Sequence, residues 1–291
     1  MKETGTTPLD SYQGTKGVVP VKRTRMVGYP SNLTDKQWRK ISNWLPKPHT
    51  KGRRRSVCRR SVVNAILYIN RTGCGWRYLP RDFPNWNTVY GLFRQWTASG
   101  VWQRINDCLR EQVRREAGRK RSPTAAIIDS QSTKTAEAGG PRGYDGGKKV
   151  TGRKRHLIVD TMGWVLAVVV HAADWQDQDG ALLVLQALRL VRDRFKRLKV
   201  IFGDSAYGRS GLPEWVREKC GWILQTVLRP VGLKGFQVLP KRWIVERTFG
   251  WLTRYRRHSR DYEKRTDHSE AMITISMIHL MLKRLDKRPA I

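Results

Sequence analysis

Two aspartates of this chain each follow an apolar run that is typical of a buried β-strand. Asp129 comes directly after Ile127-Ile128, and Asp204 comes directly after Ile201-Phe202-Gly203. Ligands gather at strand ends in open α/β sheets, but a carboxylate buried there loses hydration unless a cation lies beside it. Carboxylates, together with waters and phosphate oxygens, are the usual ligands of Mg²⁺. The two positions therefore predict a divalent-cation site.

Phosphodiester chemistry at such a site commonly uses two ions roughly 3.5–4 Å apart, which activate the attacking oxygen and stabilise the leaving one. One carboxylate can bridge both ions, but each ion also needs a ligand of its own. Glu246, on a predicted late helix, is the best candidate for this third ligand. On its helical face, Gly250 and Thr253 leave room for a substrate backbone, while Arg242 and Arg257 could hold phosphates.

Each of these acidic residues also has a simpler interpretation. A single Asp at a strand end is usually a cap or a turn former, and a lone Glu in a basic helix is usually an ion-pair partner. The order of the three in a strongly basic chain favours the cation site. Local capping is the better explanation for the other aspartates considered, which are Asp160, Asp174, Asp177 and Asp179.

Charge is the strongest signal in the composition. The 57 lysines and arginines exceed the 24 aspartates and glutamates, which gives a net charge of +33. A surplus of this size opposes compaction unless a polyanion neutralises it, so nucleic acid is the expected partner. A ribosomal or membrane-surface protein is the alternative, but twelve tryptophans and 39% hydrophobic residues predict a larger packed core than a ribosomal arm has.

The sequence gives no signal for a membrane segment or for secretion. The longest apolar candidate, 165–173, is far shorter than the roughly 18–20 residues of a membrane-spanning helix. The N-terminus has no apolar secretory segment, so we expect a cytoplasmic protein. The four cysteines form no CxxC pair and no zinc-ligand spacing with histidine, which favours reduced thiols.

The order of predicted elements indicates two domains behind a leader without periodicity at 1–30. Residues 31–117 form a predicted helical domain, in which a first helix opens at Thr34 or Asp35 and others cover about 61–71, 88–96 and 101–117. Residues 118–123 form a basic linker. In the α/β domain at 124–291, strands are expected at 124–129, 156–160, 165–171, 200–204 and 222–228, and helices at 179–195, 212–219, 240–255 and 269–285. Several strands are apolar throughout, which favours a sheet covered on both faces.

Basic residues cluster in three places and are predicted to contact DNA. They are Arg53, Arg54 and Arg55 in an N-terminal loop, Lys148, Lys149, Arg153, Lys154 and Arg155 around a Gly-rich segment, and Arg242, Arg247, Arg254 and Arg257 near Glu246. The pattern does not separate residues that read bases from residues that touch only phosphates.

Several motifs in combination resemble bacterial insertion-sequence transposases of the fifth family, the IS-five-like group. The resemblance covers about residues 31–285. In the C-terminal half it rests on Ile128-Asp129-Ser130-Gln131-Ser132, Gly152-Arg153-Lys154-Arg155-His156, Gly203-Asp204-Ser205-Ala206-Tyr207 and Trp243-Ile244-Val245-Glu246-Arg247, with Trp251-Leu252. In the N-terminal half it rests on Leu33-Thr34-Asp35 with Trp38, and on Gly75-Trp76-Arg77-Tyr78-Leu79-Pro80.

The resemblance implies an RNase H-like catalytic core with an N-terminal all-helical DNA-binding domain. It implies a DDE triad of Asp129, Asp204 and Glu246 that holds two Mg²⁺ or Mn²⁺ ions. The implied activity is cleavage of DNA at the terminal inverted repeats of a transposon and transfer of the strand to target DNA. Because both ends must be held together, a homodimer or a larger synaptic assembly is expected.

The helix that carries Glu246 departs from the pattern of related transposases at two positions. Those proteins show an Arg four residues before the Glu, which Arg242 matches. They often have a Tyr and a Lys where this chain has Leu239 and Thr253, and Arg254 lies one step further on. The phosphate-clamping roles therefore stay open, whereas the expected metal ligands are all present.

Three alternative functions remain at this point. An RNase H-like nuclease would have the same core without a requirement for particular DNA ends. A catalytically inactive DNA-binding protein would keep only the electrostatic contact with DNA. A recombinase with a tyrosine nucleophile is suggested by His258, Arg260 and Tyr262, but residues so close in sequence are poorly placed to surround a phosphate.

Overall fold

The computed structural model describes residues 28–46, 57–137, 139–227 and 241–286. Its N-terminal part contains four helices, which confirms the helices expected there. They are α1 (Asp35–Ile41), α2 (Arg59–Thr72), α3 (Trp86–Ala98) and α4 (Val101–Glu116).

Local capping explains where the first two helices begin or end. The Thr34 hydroxyl accepts a 3.2 Å hydrogen bond from the backbone N–H of Gln37, and the Gln37 side chain accepts one of 3.1 Å from the backbone of Thr34. This reciprocal pair satisfies two amides at the start of α1 that lack a helical partner. Helix α2 ends at Gly73, whose φ of 77° is the left-handed conformation that glycine tolerates.

Six strands form one mixed sheet. They are β1 (Ala125–Lys134), β2 (Gly143–Asp145), β3 (Val150–Asp160), β4 (Val165–Ala172), β5 (Val200–Gly203) and β6 (Ile223–Thr226). Strands β1 and β3 are antiparallel, and β2 and β4 pair with successive parts of the other edge of β3. Strand β5 is parallel to β1, and β6 is parallel to β5.

The remaining helices are α5 (Asp177–Leu190), α6 (Leu212–Trp215), α7 (Arg242–Leu252) and α8 (Thr266–Asp286). Each lies within a few residues of its expected position. Helix α6 is shorter than predicted, because the chain widens into a π-helical turn at Val216–Cys220.

Two strands are longer than their apolar runs and include polar residues. Strand β1 runs past Asp129 to Lys134, and β3 begins at Val150 within the Gly-rich segment. Backbone pairing continues through these polar residues, from Asp129 opposite Leu157 to Lys134 opposite Gly152. A side chain at position 152 would lie 2.0 Å from the Thr133 carbonyl oxygen, so this close approach requires glycine.

The two faces of the sheet are covered by different helices, as the apolar strands predicted. On β1, Ile127 belongs to the core that includes α7, α8 and the N-terminal helices, whereas Ile128 belongs to the core formed with α5 and α6. Alternate residues of a strand point to opposite faces, and this places consecutive isoleucines in separate cores.

The larger core is continuous across 118–123, where the sequence predicts a linker. Buried polar groups also connect the two sides, because Asn70 Nδ2 lies 2.9 Å from Ser276 Oγ and Arg114 lies 2.6 Å from Asp160. The helical part is thus packed directly on α8 and the sheet. The division into two domains stays a prediction about folding units.

Candidate active site

The sheet brings Asp129 and Asp204 together just beyond the point where β1 and β5 pair in parallel, although β1 itself continues past Asp129. Ile127 of β1 pairs with Phe202 of β5. Asp129 follows Ile127 by two residues, and Asp204 follows Phe202 by two residues. The carboxylates are held locally: Asp129 Oδ1 accepts a 2.7 Å hydrogen bond from the backbone N–H of Ser130, and Asp204 Oδ1 accepts one of 2.9 Å from the backbone N–H of Ala206. The apolar strands therefore set the positions, and backbone amides set the orientations.

The electrostatic environment of Asp129 is unfavourable to its negative charge. Burial raises the pKa of Asp129 to about 6, and the nearby charge of Asp204 acts in the same direction. Arg242 and Lys148 oppose this shift, as does the hydrogen bond from Ser130. A buried carboxylate with a raised pKa beside a second carboxylate suits a divalent cation, which would neutralise both charges.

Glu246 lies on α7, the helix that packs against β1. Its side chain is half exposed, and its carboxylate lies 3.7 Å from the guanidinium of Arg242, one helical turn earlier. Arg242 acts electrostatically on Asp129 as well, so the arginine links the two acids. Within the described residues, no three acidic, histidine or cysteine side chains converge closely enough to hold a metal ion. The structure thus brings Asp129 and Asp204 together, with Glu246 on an adjoining helix.

A partly buried polar network next to Asp129 was not expected from the sequence. The Ser130 hydroxyl donates a 2.9 Å hydrogen bond to Asp177, whose carboxylate also lies 3.2 Å from the ammonium of Lys154. Lys154 further donates to the Trp175 carbonyl oxygen at 2.7 Å and lies 3.5 Å from Asp145. Asp177 therefore holds the residue next to Asp129, a role beyond the helix-start capping that the sequence favoured.

The basic motif at 153–156 is buried, contrary to the expectation that it contacts DNA. Lys154 points toward the Asp177 network, while Arg153 and Arg155 lie among residues 258–269 on the other face. Arg153 donates to the Glu263 carbonyl oxygen at 2.7 Å, and Arg155 donates to the His258 carbonyl oxygen at 3.1 Å. We therefore no longer assign Arg153, Lys154 and Arg155 as DNA contacts, because each side chain is buried and bonded to groups inside the protein.

Arg257 was also expected to contact DNA, but it is bonded inside the protein. Its guanidinium makes two hydrogen bonds, of 2.8 and 2.7 Å, to one carboxylate oxygen of Glu263 and a third, of 3.0 Å, to the Cys74 carbonyl oxygen. The side chain is buried, so it stabilises the segment that follows α7.

Other basic residues remain available to a DNA backbone. Lys148, Lys149 and Arg254 are exposed, and Arg242 is partly exposed. Arg247 is half-buried between the rings of Trp243 and Trp251 and donates to the Met162 carbonyl oxygen. The expected contacts Arg53, Arg54 and Arg55 lie outside the described residues.

Two of the alternatives considered from sequence can be placed in the fold. Asp160 accepts hydrogen bonds from the backbone N–H groups of Met162 and Trp164, so the expected turn-capping role is confirmed. His258, the histidine of the tyrosine-recombinase alternative, is buried and lies 2.7 Å from Ser276 Oγ.

No helix in the described ranges is long and apolar enough to cross a membrane.

Comparison with known proteins identifies similarity in both halves of the chain. Residues 33–106 match the family described as "Putative transposase of IS4/5 family". Over 113 residues, the chain is 30% identical to the "Insertion element IS402 uncharacterized 16.2 kDa protein" of Burkholderia cepacia, covering 37% of this chain and 76% of that protein. Over 128 residues, it is 26% identical to the "Putative transposase for insertion sequence element IS402" of the same organism, covering 43% of this chain and 60% of that protein.

Among solved structures, the Mos1 mariner paired end complex with Mn aligns with a TM-score of 0.28 and 12% identity, over 83% of this chain and 80% of that chain. Similarity at this level supports no structural argument. The match that decides the family is the one described as "Transposase DDE domain", which covers residues 120–281 and thus more than half of the chain. The chain belongs to the family of transposases with a DDE domain.

Proposed function

We propose that this protein is an IS-five-like transposase that cleaves DNA at transposon ends and transfers the strand to target DNA. The observation that carries the proposal is the placement of Asp129 and Asp204 beside each other, just beyond the parallel pairing of β1 with β5, within the region that matches the DDE domain. A pair of carboxylates in a strongly basic chain suits a metal-dependent reaction on a polyanion.

The sheet supports an RNase H-like core as part of this proposal. Strands β1, β3 and β4 form an antiparallel unit, with the short β2 also paired to β3, and β5 and β6 then extend the sheet in parallel on the other side of β1. Helices cover both faces. In this arrangement β1 is central, so Asp129 lies in the middle of the sheet rather than at its edge. The N-terminal helices would supply part of the DNA-binding surface.

We assign Asp129 and Asp204 as ligands of divalent ions, with Glu246 as the ligand that completes the site. Bound Mg²⁺ or Mn²⁺, two ions in the full site, would activate the attacking oxygen and stabilise the leaving one. Glu246 is half exposed and only loosely paired with Arg242 at 3.7 Å. This ion pair can be exchanged at little cost, which would leave Arg242 to hold a phosphate of the substrate.

The other charged groups at the site have distinct roles in this proposal. Lys148 lies 3.2 Å from the Ser130 hydroxyl and acts electrostatically on Asp129, so it is placed to hold a phosphate beside the carboxylates. Asp177, through Ser130, fixes the backbone that orients Asp129. Both transposon ends must be cut in one complex, so the active form is a dimer or a larger assembly.

The test is cleavage of DNA that carries the element's own ends, in the presence of Mg²⁺ or Mn²⁺. Wild type is compared with Asp204→Ala and with Asp193→Ala, a control at an exposed aspartate on the 3₁₀ turn after α5. We expect cleavage at the ends by wild type and Asp193→Ala, and DNA binding without cleavage by Asp204→Ala. Equal cleavage by all three proteins would contradict the role of Asp204. Cutting without a requirement for particular ends would favour the nuclease, and binding without any cleavage would favour the inactive DNA-binding protein.

A further inference from the structure

A cleft of about 920 Å³ lies between the N-terminal helices and the end of α8, away from the carboxylates. Its walls come from α1, the end of α4, α7 with the turn that follows it, and α8. Five of its lining residues are basic and one, Glu116, is acidic; the basic ones are Lys36, Lys40, Arg254, Lys283 and Arg284. Elements far apart in sequence therefore bring positive charge to one concave surface.

Most of this charge is not neutralised inside the protein. Lys36 lies 3.8 Å from Asp286, which is a loose ion pair. In the part of the chain that the structure describes, Lys40, Arg254, Lys283 and Arg284 form no ion pair with a carboxylate. Burial and the nearby charge of Arg71 lower the pKa of Lys283, which is the direction expected for a cation without a counter-ion. An anionic ligand would relieve this repulsion.

The apolar part of the cleft offers aromatic surface. Trp164 and Trp251 pack with their ring centroids 5.1 Å apart, and both line the cleft. Trp164 is only 2% exposed, and its indole N–H is enclosed by the protein. Trp251 is the more exposed of the two, so its ring is the aromatic surface that a ligand in the cleft would meet.

The composition of the walls argues against a small-molecule site. Pockets for small ligands have volumes of roughly 300–1,000 Å³ but are lined mainly by apolar side chains with few polar groups. Here the cations surround a tryptophan pair, which is the combination that nucleic-acid grooves use for phosphates and sugars or bases.

We propose that this cleft binds the phosphodiester backbone of DNA, an inference that rests on the proposed function. Trp251 follows Glu246 by five residues on α7, which is about 7.5 Å along the helix axis and about 140° around it. The cleft therefore opens on a different face of α7 from the one that carries Glu246. DNA bound there is contacted outside the active site.

Both α1 and α8 contact DNA in this proposal. Lys40 of α1 and Lys283 of α8 face the same cleft although 243 positions separate them in sequence. Because the cleft exists only when the N-terminal helices pack on α8, DNA binding here depends on the fold of the whole chain. The contacts are to the backbone, so they apply to DNA of any sequence.

The test is the salt dependence of DNA affinity for the full chain, measured with a random-sequence duplex. The cleft variant is Lys40→Ala with Lys283→Ala. The matched control is Lys196→Ala with Lys219→Ala, which removes the same charge from exposed positions beyond the opposite face of the sheet. Each phosphate contact contributes about 0.9 to the slope of log affinity against log salt. We expect the slope to fall by about 1.8 in the cleft variant and to stay at the wild-type value in the control.

Several outcomes would overturn the proposal. One is a cleft variant with the wild-type slope, and another is an equal fall in both double variants. A third is competition by polyglutamate for the cleft while the DNA slope stays unchanged, which would indicate an acidic protein segment as the ligand. The unfolding temperature of each variant must match that of wild type. If the double cleft variant unfolds at a lower temperature, Lys40→Gln alone is tested, and half of the slope change is expected.

Failure of this inference is distinguishable from failure of the proposed function. Metal-dependent cleavage that requires Asp204, with no slope change in the cleft variant, would remove the cleft contact and leave the transposase. A slope change without any cleavage by wild type would keep the DNA-binding cleft and remove the enzyme.

Discussion

The hydroxyl of Ser130 donates a 2.9 Å hydrogen bond to the carboxylate of Asp177, and this contact joins the centre of the sheet to the first turn of α5. The backbone N–H of the same serine holds Asp129. Ser130, which has no predicted catalytic role, thus sets the orientation of Asp129, a predicted metal ligand. Asp177 is therefore a positioning residue in our account, and its contribution is measurable.

Asp177→Ala should reduce both stability and the rate of cleavage, without weakening DNA binding. The change removes the acceptor of the Ser130 hydroxyl and the charge that faces Lys154 at 3.2 Å, and it leaves this buried ammonium with Asp145 at 3.5 Å. Loss of one hydrogen bond to a charged group costs about 1.5–3 kcal/mol. Urea unfolding measures the first effect, and cleavage at saturating DNA measures the second. Asp179→Ala, at an exposed residue in the same helical turn, is the control; if it has the same effects, Asp177 has no specific role.

Glu246→Gln should abolish cleavage while the fold keeps its stability. The side chain is half exposed, and its ion pair with Arg242 spans 3.7 Å within one helix, a contact worth about 0.3–0.5 kcal/mol. Unfolding curves should therefore overlap with wild type. A loss of cleavage no greater than that of Glu214→Gln, at an exposed glutamate of α6, would exclude Glu246 from the metal site.

Mg²⁺ should raise the unfolding temperature of wild type in the absence of DNA. A ligand that binds only the folded state stabilises it, by about 2.7 kcal/mol at a hundred times its dissociation constant. The response should disappear in Asp129→Asn and in Asp204→Ala, because neither retains the carboxylate pair. NaCl at matched ionic strength separates binding from screening. A thermal shift that persists in both variants would place the ions elsewhere.

The stability of the protein should depend on pH through Glu270, at a distance from the carboxylates. Burial raises the pKa of Glu270 to about 7, despite the 2.9 Å hydrogen bond from the Val170 backbone N–H. The folded state binds this proton more tightly than the unfolded state, so the contribution to stability is lost as pH rises from about 4.5 to about 7.

The stability of Glu270→Gln relative to wild type should therefore increase as the pH is raised from 5 to roughly 8. The amide keeps an acceptor for the Val170 N–H and carries no charge at either pH. Denaturant unfolding at both pH values measures the gain. An exposed glutamate in the π-helical turn, changed as Glu218→Gln, should show no such dependence. A difference that does not vary with pH would mean that Glu270 titrates normally.

Substitution of Arg153 should unfold the protein rather than weaken DNA contacts. Its buried guanidinium lies 3.2 Å from Asp261, and breaking a buried ion pair by removing one partner costs about 3–5 kcal/mol. Lys148→Ala should show the reverse, with unchanged stability and lower DNA affinity, because Lys148 is exposed. The two variants are compared by unfolding and by DNA titration. Lower affinity in a stable Arg153→Ala protein would restore this arginine to the DNA surface.

Features that depend only on neighbouring residues can be predicted from the amino-acid sequence. Apolar runs at Ile127-Ile128 and Ile201-Phe202 predicted strands, and a carboxylate at the end of each was already notable. Helices α2 and α4 were predicted from apolar residues at helical spacing and from the glycines that follow them. These patterns can be recognised because strand and helix periodicity are local properties of the chain.

Which charged residues are buried could not be predicted and became clear only from the packed fold. Arg153, Lys154 and Arg155 looked like a DNA-binding stretch, and their neighbours in sequence offer them no carboxylate. Their partners come from distant segments, including Asp177 for Lys154 and the carbonyl oxygen of His258 for Arg155. A buried charge is stable only beside such partners, and no local pattern specifies which distant residues the fold will bring to it.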